Sequence, residues 1–226
     1  RGQRLTPQQQ LALARAFGVP VEYPQLKGLP DCPLITPVVK LEHERANFGG
    51  VWHSDTTYLA RPPMGSMLYA IEIPPYGGDT LFANQYLAYE ALSDGLKRAL
   101  DGLVGVNTST KAAASKTRED RMRAAGEELK VLVGEHPVVR THPETGEKIL
   151  FVNAFTTHFT NYHTPENVRV GQDYTPGASL LLNYLISQAQ IPEYQVRWRW
   201  KQNSMAFWDN RATQHYAVMD YAPCHR

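Results

Sequence analysis

The chain has 226 residues, enough for one sizeable hydrophobic core. Its net charge is +1 and 20% of its residues are charged, which excludes a general electrostatic pull toward nucleic acid or a membrane surface. Two cysteines, Cys32 and Cys224, are too few for a disulfide framework and fit a reducing cytoplasm, and there is neither a bilayer-length apolar run nor a signal-peptide pattern.

In chain order, Thr6-Pro7-Gln8-Gln9 predicts a helix start, with Thr6 as cap, Pro7 in the first helical position and Gln9 closing a capping box. Leu11, Ala14 and Phe17 mark one apolar face, expected to pack on a sheet, and Gly18 is expected to end the helix in a left-handed conformation. Pro20, Pro24, Gly28, Pro30 and Pro33 make residues 19–36 a loop. Residues 35–41, with Val38 and Val39, read as a strand, and His43 between Glu42 and Glu44 as a solvated surface residue. Asn47-Phe48-Gly49-Gly50 bends the chain into an extended segment over 51–57.

Arg61-Pro62-Pro63 leads into a β-like run over 67–73, and Pro74-Pro75-Tyr76-Gly77-Gly78 turns into a strand over 79–83. Asn84 and Ser93 are each placed to cap a helix, the first carrying Tyr86, Tyr89 and Leu92, the second Leu96, Leu100 and Leu103. Residues 107–130 are polar, then charged and helix-like from 118, and their composition fits a solvated insertion. Residues 137–142 and 148–152 flank Pro143-Glu144-Thr145-Gly146 as a β-hairpin. Thr175-Pro176 opens a helix through Leu180, Leu181, Tyr184 and Leu185, ended by Ile191-Pro192. Val196, Trp198 and Trp200 alternate with Arg197, Arg199 and Lys201, the period of a half-buried strand rather than a nucleic-acid stacking surface. A last strand over 205–208 follows the turn at Gln202-Asn203.

The chemistry-bearing stretch is Trp52-His53-Ser54-Asp55. Side chains two positions apart on an extended strand share a face, so His53 and Asp55 are expected to point the same way. A second, remote histidine would complete two imidazoles and one carboxylate on one side of a metal, the facial set that holds non-haem Fe(II) with positions open for ligands. The remote histidine nominated is His215, in Trp208-Asp209-Asn210-Arg211-Ala212-Thr213-Gln214-His215; on composition alone His136, His142, His158 and His163 are rivals. Alone, a His-x-Asp pair is most often a surface or turn feature.

The ordered set of His53-Ser54-Asp55, Gly77-Gly78-Asp79-Thr80, the Trp-Asp-Asn-Arg…His segment and Arg226, eleven residues after His215, resembles the taurine dioxygenase-like (TauD/TfdA) family. The resemblance runs through nearly the whole chain. It implies a mainly β fold with flanking helices around a double-stranded β-helix (jelly-roll) core. It also implies an enzyme that uses Fe(II), 2-oxoglutarate and O2 to hydroxylate a small anionic substrate with release of succinate and CO2. His53, Asp55 and His215 then hold the metal, while Thr80 and Arg226 hold the distal carboxylate of 2-oxoglutarate, Arg226 through a planar, bidentate guanidinium.

Tyr23, Thr56 and Phe155 fall at substrate-facing positions of the relative, and the family's substrate-anion arginine lies four residues beyond Arg226. Pro20 stands where taurine dioxygenase has a sulfonate-binding histidine, and a proline side chain has no donor to offer, which argues against taurine. Sulfonates, sulfate esters, aryloxyalkanoates and other carboxylates remain as substrate classes. The family view makes 1–226 a single dioxygenase domain lacking its first strand and its C-terminal end, makes 107–130 a lid, and expects a homo-oligomer, dimer or tetramer, with no nucleic-acid or membrane partner. Two other classes stay open: a non-catalytic jelly-roll binding protein, and a Zn-dependent cupin-like enzyme, for which a third histidine or a nearby general-base glutamate would speak.

Overall fold

Thr6 starts α1 (Pro7–Phe17) as its sequence requires: its hydroxyl accepts from the Gln9 amide and the Gln9 side chain accepts from the Thr6 amide. The helix ends otherwise than expected. Gly18 has φ 166°, an extended conformation, and its N–H bonds the Ala14 carbonyl. No residue of α1 is buried, and Phe17 reaches the sheet only through its ring, 4.6 Å between centroids from Phe207. The structure, a computed structural model, describes residues 1–24, 26–44, 47–111, 130–164 and 176–221.

Residues 35–41 do not form the expected strand. Val38 and Val39 favour extended backbone, but no described segment pairs with them, and both remain exposed. His43 is exposed, as expected. The first strand, β1 (Gly65–Tyr69), starts and stops earlier than the apolar run suggested, leaving Ile71 exposed, and pairs antiparallel with β9 (Met205–Asp209). The turn before β2 (Thr80–Asn84) requires its glycines: Gly77 has φ 66°, and a Cβ there would stand 2.4 Å from Asp220 Oδ1.

Strand β2 is the centre of an antiparallel sheet with β10 (Thr213–Ala217) on one side and β8 (Gln195–Trp198) on the other. A second sheet has the order β4 (Val133–Pro137), β3 (Val104–Thr108), β7 (Thr156–Phe159). The expected hairpin is β5 (Val139–Thr141) with β6 (Lys148–Leu150), in register Val139 with Leu150. Small antiparallel sheets with helices outside match the mainly β, jelly-roll expectation.

Asn84 and Ser93 cap α2 (Gln85–Glu90) and α3 (Asp94–Leu100) as read. Helix α4 (Pro176–Ser187) buries Ala178, Leu182 and Leu185, an i, i+4, i+7 stripe, while Leu180 and Tyr184 face outward; Thr175 lies outside the described residues. These helices close the main core over Val138, Leu150, Val152 and Phe159.

Two further expectations are corrected. The insertion at 107–130 cannot begin at 107, because Asn107 and Thr108 are buried in β3; residues 112–129, including most of the expected helix, lie outside the described residues. The alternation at 196–200 holds for Trp200, which is buried, but Val196 is exposed. Strand β4 escaped the sequence reading because its inward residues are Gly134 and His136, so its apolar pattern points outward. No helix among the described residues is long and apolar enough to cross a membrane.

Candidate metal centre

Gly49, at φ 74°, turns the chain so that residues 47–53 run beside β10. A Cβ at Gly49 would stand 3.2 Å from His53 Cε1, so glycine lets the bend close over the imidazole. The Ala217 amide bonds the Gly49 carbonyl at 2.9 Å. His53 and His215 then exchange both backbone hydrogen bonds, at 3.1 and 2.8 Å, as an isolated antiparallel pair. Directly opposed residues put their side chains on one face, and the two imidazole centroids lie 4.1 Å apart.

Asp55 reaches that face by another route than the one expected. Only His53 is β-paired; Asp55 opens a turn in which Thr56 has φ 50°. Asn210, between β9 and β10, fixes the turn: its Oδ1 accepts from the Asp55 amide at 2.6 Å and its Nδ2 donates to the Asp55 carbonyl at 2.9 Å. Asp55 Oδ1 lies 3.5 Å from His53 Nε2 and 3.7 Å from His215 Nε2. Its other oxygen, Oδ2, accepts from the Ser66 hydroxyl.

The protonation states suit a metal. His53 Nδ1 lies 2.7 Å from the Val51 carbonyl, so it carries the proton and leaves the Nε2 lone pair toward Asp55. Burial and the neighbouring His53 push His215 down to about 3, making it a neutral imidazole near pH 7. Burial opposes ionisation of Asp55, but positive charge at the facing His215 and His53 rings, with the Ser66 hydroxyl, outweighs it and holds the carboxyl well below its usual range; a bound cation supplies that charge where the rings are neutral. Among the described residues, His53, Asp55 and His215 are the one group of three metal-donor side chains, with ligand atoms all within 4.8 Å of one another. A mostly buried carboxylate facing the Nε2 atoms of two imidazoles, with no Lys or Arg partner among the described residues, is a donor set that fits a divalent cation such as Fe(II). Among the described residues, Thr56 Oγ1, Trp208 Nε1 and His215 Nδ1 are also buried without a hydrogen-bond partner, and such orphaned polar atoms call for a ligand or water.

Thr80 belongs to the same face. Phe82 opposes His215 across β2 and β10, and Thr80 opposes Ala217, one side-chain repeat further along. Its buried hydroxyl accepts from Trp200 Nε1 at 2.9 Å. Phe155 lies with its ring 5.4 Å from that of His53 and 5.6 Å from that of Tyr58. Tyr58 is hydrogen-bonded to Tyr23, so the three aromatics form one wall beside the triad. Burial raises the Tyr58 phenol, opposed by the Tyr23 bond and reinforced by the charge of Asp55. Arg226 lies outside the described residues.

The rival histidines go elsewhere. His136 bonds the Thr57 and Leu59 carbonyls at 2.8 and 3.0 Å, and burial pushes it down, so it donates as a neutral ring to the loop carrying Asp55. His142 meets Asp209 at 3.0 Å, His158 meets the Thr157 hydroxyl at 2.9 Å, and His163 packs edge-on to Tyr162.

The family model for the taurine catabolism dioxygenase TauD, TfdA family matches residues 1–226. The chain belongs to the TauD/TfdA dioxygenase family. Among curated relatives of this dioxygenase, the alkylsulfatase of Acinetobacter baylyi is 34% identical over 232 residues, covering 100% of this chain and 69% of the relative. The alpha-ketoglutarate-dependent sulfate ester dioxygenase of Pseudomonas putida is 32% identical over 229 residues, covering 98% and 71%. Among solved structures, a taurine dioxygenase from Burkholderia xenovorans superposes with a TM-score of 0.71 at 36% identity, covering 97% of this chain and 69% of that one. This dioxygenase is thus 2-oxoglutarate-dependent, with a jelly-roll core.

Four contributors to its site were missed in the sequence. Asn210 stands inside the quoted Trp-Asp-Asn-Arg segment, and its place five residues before His215 was the available signal. Ser66, Tyr58 and Trp200 carried no local signal, because each is defined by a partner distant in sequence or by burial.

Proposed function

We propose that this dioxygenase holds Fe(II) through His53 Nε2, Asp55 Oδ1 and His215 Nε2, and hydroxylates a small anionic organic substrate, with sulfate esters as the favoured class. The observation that carries the reading is the convergence of two imidazoles and one ionised carboxylate on one face, with no Lys or Arg partner among the described residues. Fe(II) bound there would activate O2, the four-electron oxidant, with two electrons taken from 2-oxoglutarate as it loses CO2 to give succinate and two from the substrate C–H bond that becomes C–OH.

The chain's own residues do the positioning. Val51 O fixes the His53 tautomer, Ser66 leaves Asp55 one free oxygen, and Asn210 locks the turn that aims it. Thr80 and Arg226 are assigned to the distal carboxylate of 2-oxoglutarate. Tyr23, Tyr58 and Phe155 wall the substrate space beside His53 and exclude water from the reacting carbon, and Thr56, next to Asp55, is assigned to the substrate as well. Pro20 offers no donor to a sulfonate, and two relatives bear the names alkylsulfatase and sulfate ester dioxygenase, which supports the sulfate-ester preference. A sulfate ester hydroxylated on the carbon bearing the ester oxygen collapses to a carbonyl compound and sulfate. We further propose a single cytoplasmic dioxygenase domain working as a homo-oligomer, dimer or tetramer, with a lid formed from the 107–130 region beyond β3. The buried free thiol of Cys32 supports the reducing compartment, the assembly and the lid rest on the family resemblance, and sedimentation would check the assembly.

The test is an anaerobic titration of the protein with Fe(II) and 2-oxoglutarate, followed by visible absorption. A weak charge-transfer band is expected, lost in His53→Ala and Asp55→Ala together with a fall in turnover on the order of a thousandfold. Absence of the band in iron-loaded protein would overturn the metal assignment. Succinate release faster with taurine than with any alkyl sulfate would overturn the substrate assignment.

A further inference from the structure

Thr80 and Asn84 are the polar residues of β2 on the face of the metal ligand His215, and the Asn84 side chain is taken up in capping α2. A two-residue step along a strand is about 6.8 Å, of the order of the length of a five-carbon diacid. The hydroxyl of Thr80 therefore stands where the far end of 2-oxoglutarate would lie if its 2-oxo acid end met the triad.

A threonine hydroxyl has one proton and two acceptor lone pairs, and it rotates to suit its neighbours. In a buried site that freedom matters, because a hydroxyl aimed the wrong way presents a lone pair to an incoming carboxylate. The structure removes the freedom. Trp200 Nε1 donates to Thr80 Oγ1 at 2.9 Å, and both residues are buried, at 8% and 3% exposure. An indole nitrogen is a donor only, so Thr80 cannot give its proton to Trp200. Thr80 has no other hydrogen-bond partner among the described residues, so its proton is left for a ligand.

Trp200 lies two residues past Trp198, which pairs directly with Thr80, and the two indoles meet edge to face at 5.9 Å and 84°. That contact holds the Trp200 ring where β8 has already ended.

We propose that Trp200 is a positioning residue for the co-substrate: its indole N–H occupies the acceptor side of the Thr80 hydroxyl and so directs the hydroxyl proton at the distal carboxylate of 2-oxoglutarate. The proposal rests on the assignment of Thr80 made above. Trp200 touches Thr80 and acts through it, so its effect is confined to 2-oxoglutarate binding.

The experiment is a double-mutant cycle on the full chain loaded with Fe(II), reading the 2-oxoglutarate dissociation constant from the anaerobic charge-transfer band. Thr80→Val should weaken binding about tenfold and Trp200→Phe, which keeps a ring but loses the N–H, about fivefold. The double variant should be no weaker than Thr80→Val, because both changes remove one arrangement. In turnover, the Trp200→Phe loss should fall on KM for 2-oxoglutarate more than on kcat. A purely structural Trp200 predicts instead an unchanged constant with a lowered Tm, or losses that multiply to about fiftyfold in the double variant; either overturns the proposal while leaving Thr80 in place. An unchanged constant in Thr80→Val overturns the Thr80 assignment itself.

Should Trp200→Phe fail to fold, the indole N–H resonances of the four tryptophans in ¹⁵N-labelled, Zn(II)-substituted protein give a second reading. The resonance that moves in Thr80→Val should also move when 2-oxoglutarate is added. A Thr80-sensitive indole indifferent to 2-oxoglutarate would overturn the proposal.

Discussion

Two clusters of histidine and carboxylate stand at the two ends of the β9–β10 connection. At its start, Asp209 accepts from His142 at 3.0 Å and from three nitrogens of Arg211, whose Nη1 reaches on to Glu144 at 3.0 Å. His142 Nδ1 in turn accepts from the Glu144 and Thr145 amides. Burial opposes ionisation of Asp209, yet Arg211 and His142 hold it down at about 2. At the other end, Asp55 faces the Nε2 atoms of two imidazoles, and among the described residues His215 Nδ1, Trp208 Nε1 and Thr56 Oγ1 have no hydrogen-bond partner. The residue types are nearly the same; what differs is the guanidinium. A carboxylate closed by a forked cation is a structural joint, whereas one shared between neutral imidazoles asks for a metal.

The comparison breaks most sharply if the Asp209 joint proves dispensable. Asp209→Ala leaves a mostly buried Arg211 and His142 without their acceptor, and should lower stability by about 3 kcal/mol in urea unfolding. A loss below about 1 kcal/mol would mean that solvent already satisfies Arg211. Asn210→Ala separates the two ends, since it keeps both clusters but frees the Asp55 turn. Metal affinity should fall roughly 10- to 100-fold, read by Fe(II) competition with a chelator, and a change under about threefold would show that the turn holds itself.

The smallest effect is in acid. The folded pKa of Asp209 lies below its ordinary 3.8, so its contribution is complete above that value and is lost as the pH falls toward about 2. Allowing for partial exposure, about 1–2 kcal/mol should disappear across that window in wild type, and Asp209→Asn should flatten the slope. An equal slope in the variant would assign the acid sensitivity to another group.

How far the sequence could be read depended on how near each residue's partner lies. The capping box at Thr6 and Gln9, the Asn84 and Ser93 caps and the 143–146 turn were legible, since all their partners lie within a few residues. Residues 35–41 were misread because a β-branched run states a preference for extended backbone, and a strand also needs an edge to pair with. Strand β4 was missed for the opposite reason: its inward side chains are a glycine and a histidine that seat the Asp55 loop. Within the site, the triad was legible because its residue types are the chemistry. The face shared by His53 and Asp55 was correct in outcome but not in cause, since a turn clamped by Asn210 replaces the strand geometry.

By itself, the sequence determined the identity of the donor set, the family and the local caps and turns, because donor chemistry belongs to single side chains and caps close over three or four bonds of chain. Only the tertiary structure decided which atoms of that set face each other, which histidine is spent on a carbonyl, and which hydroxyl accepts from an indole. Those outcomes rest on Ser66 with Asp55, Trp200 with Thr80 and Asn210 with Asp55, partners 11, 120 and 155 residues apart. Contacts at such separations are set by how the sheets pack, and no local pattern encodes them.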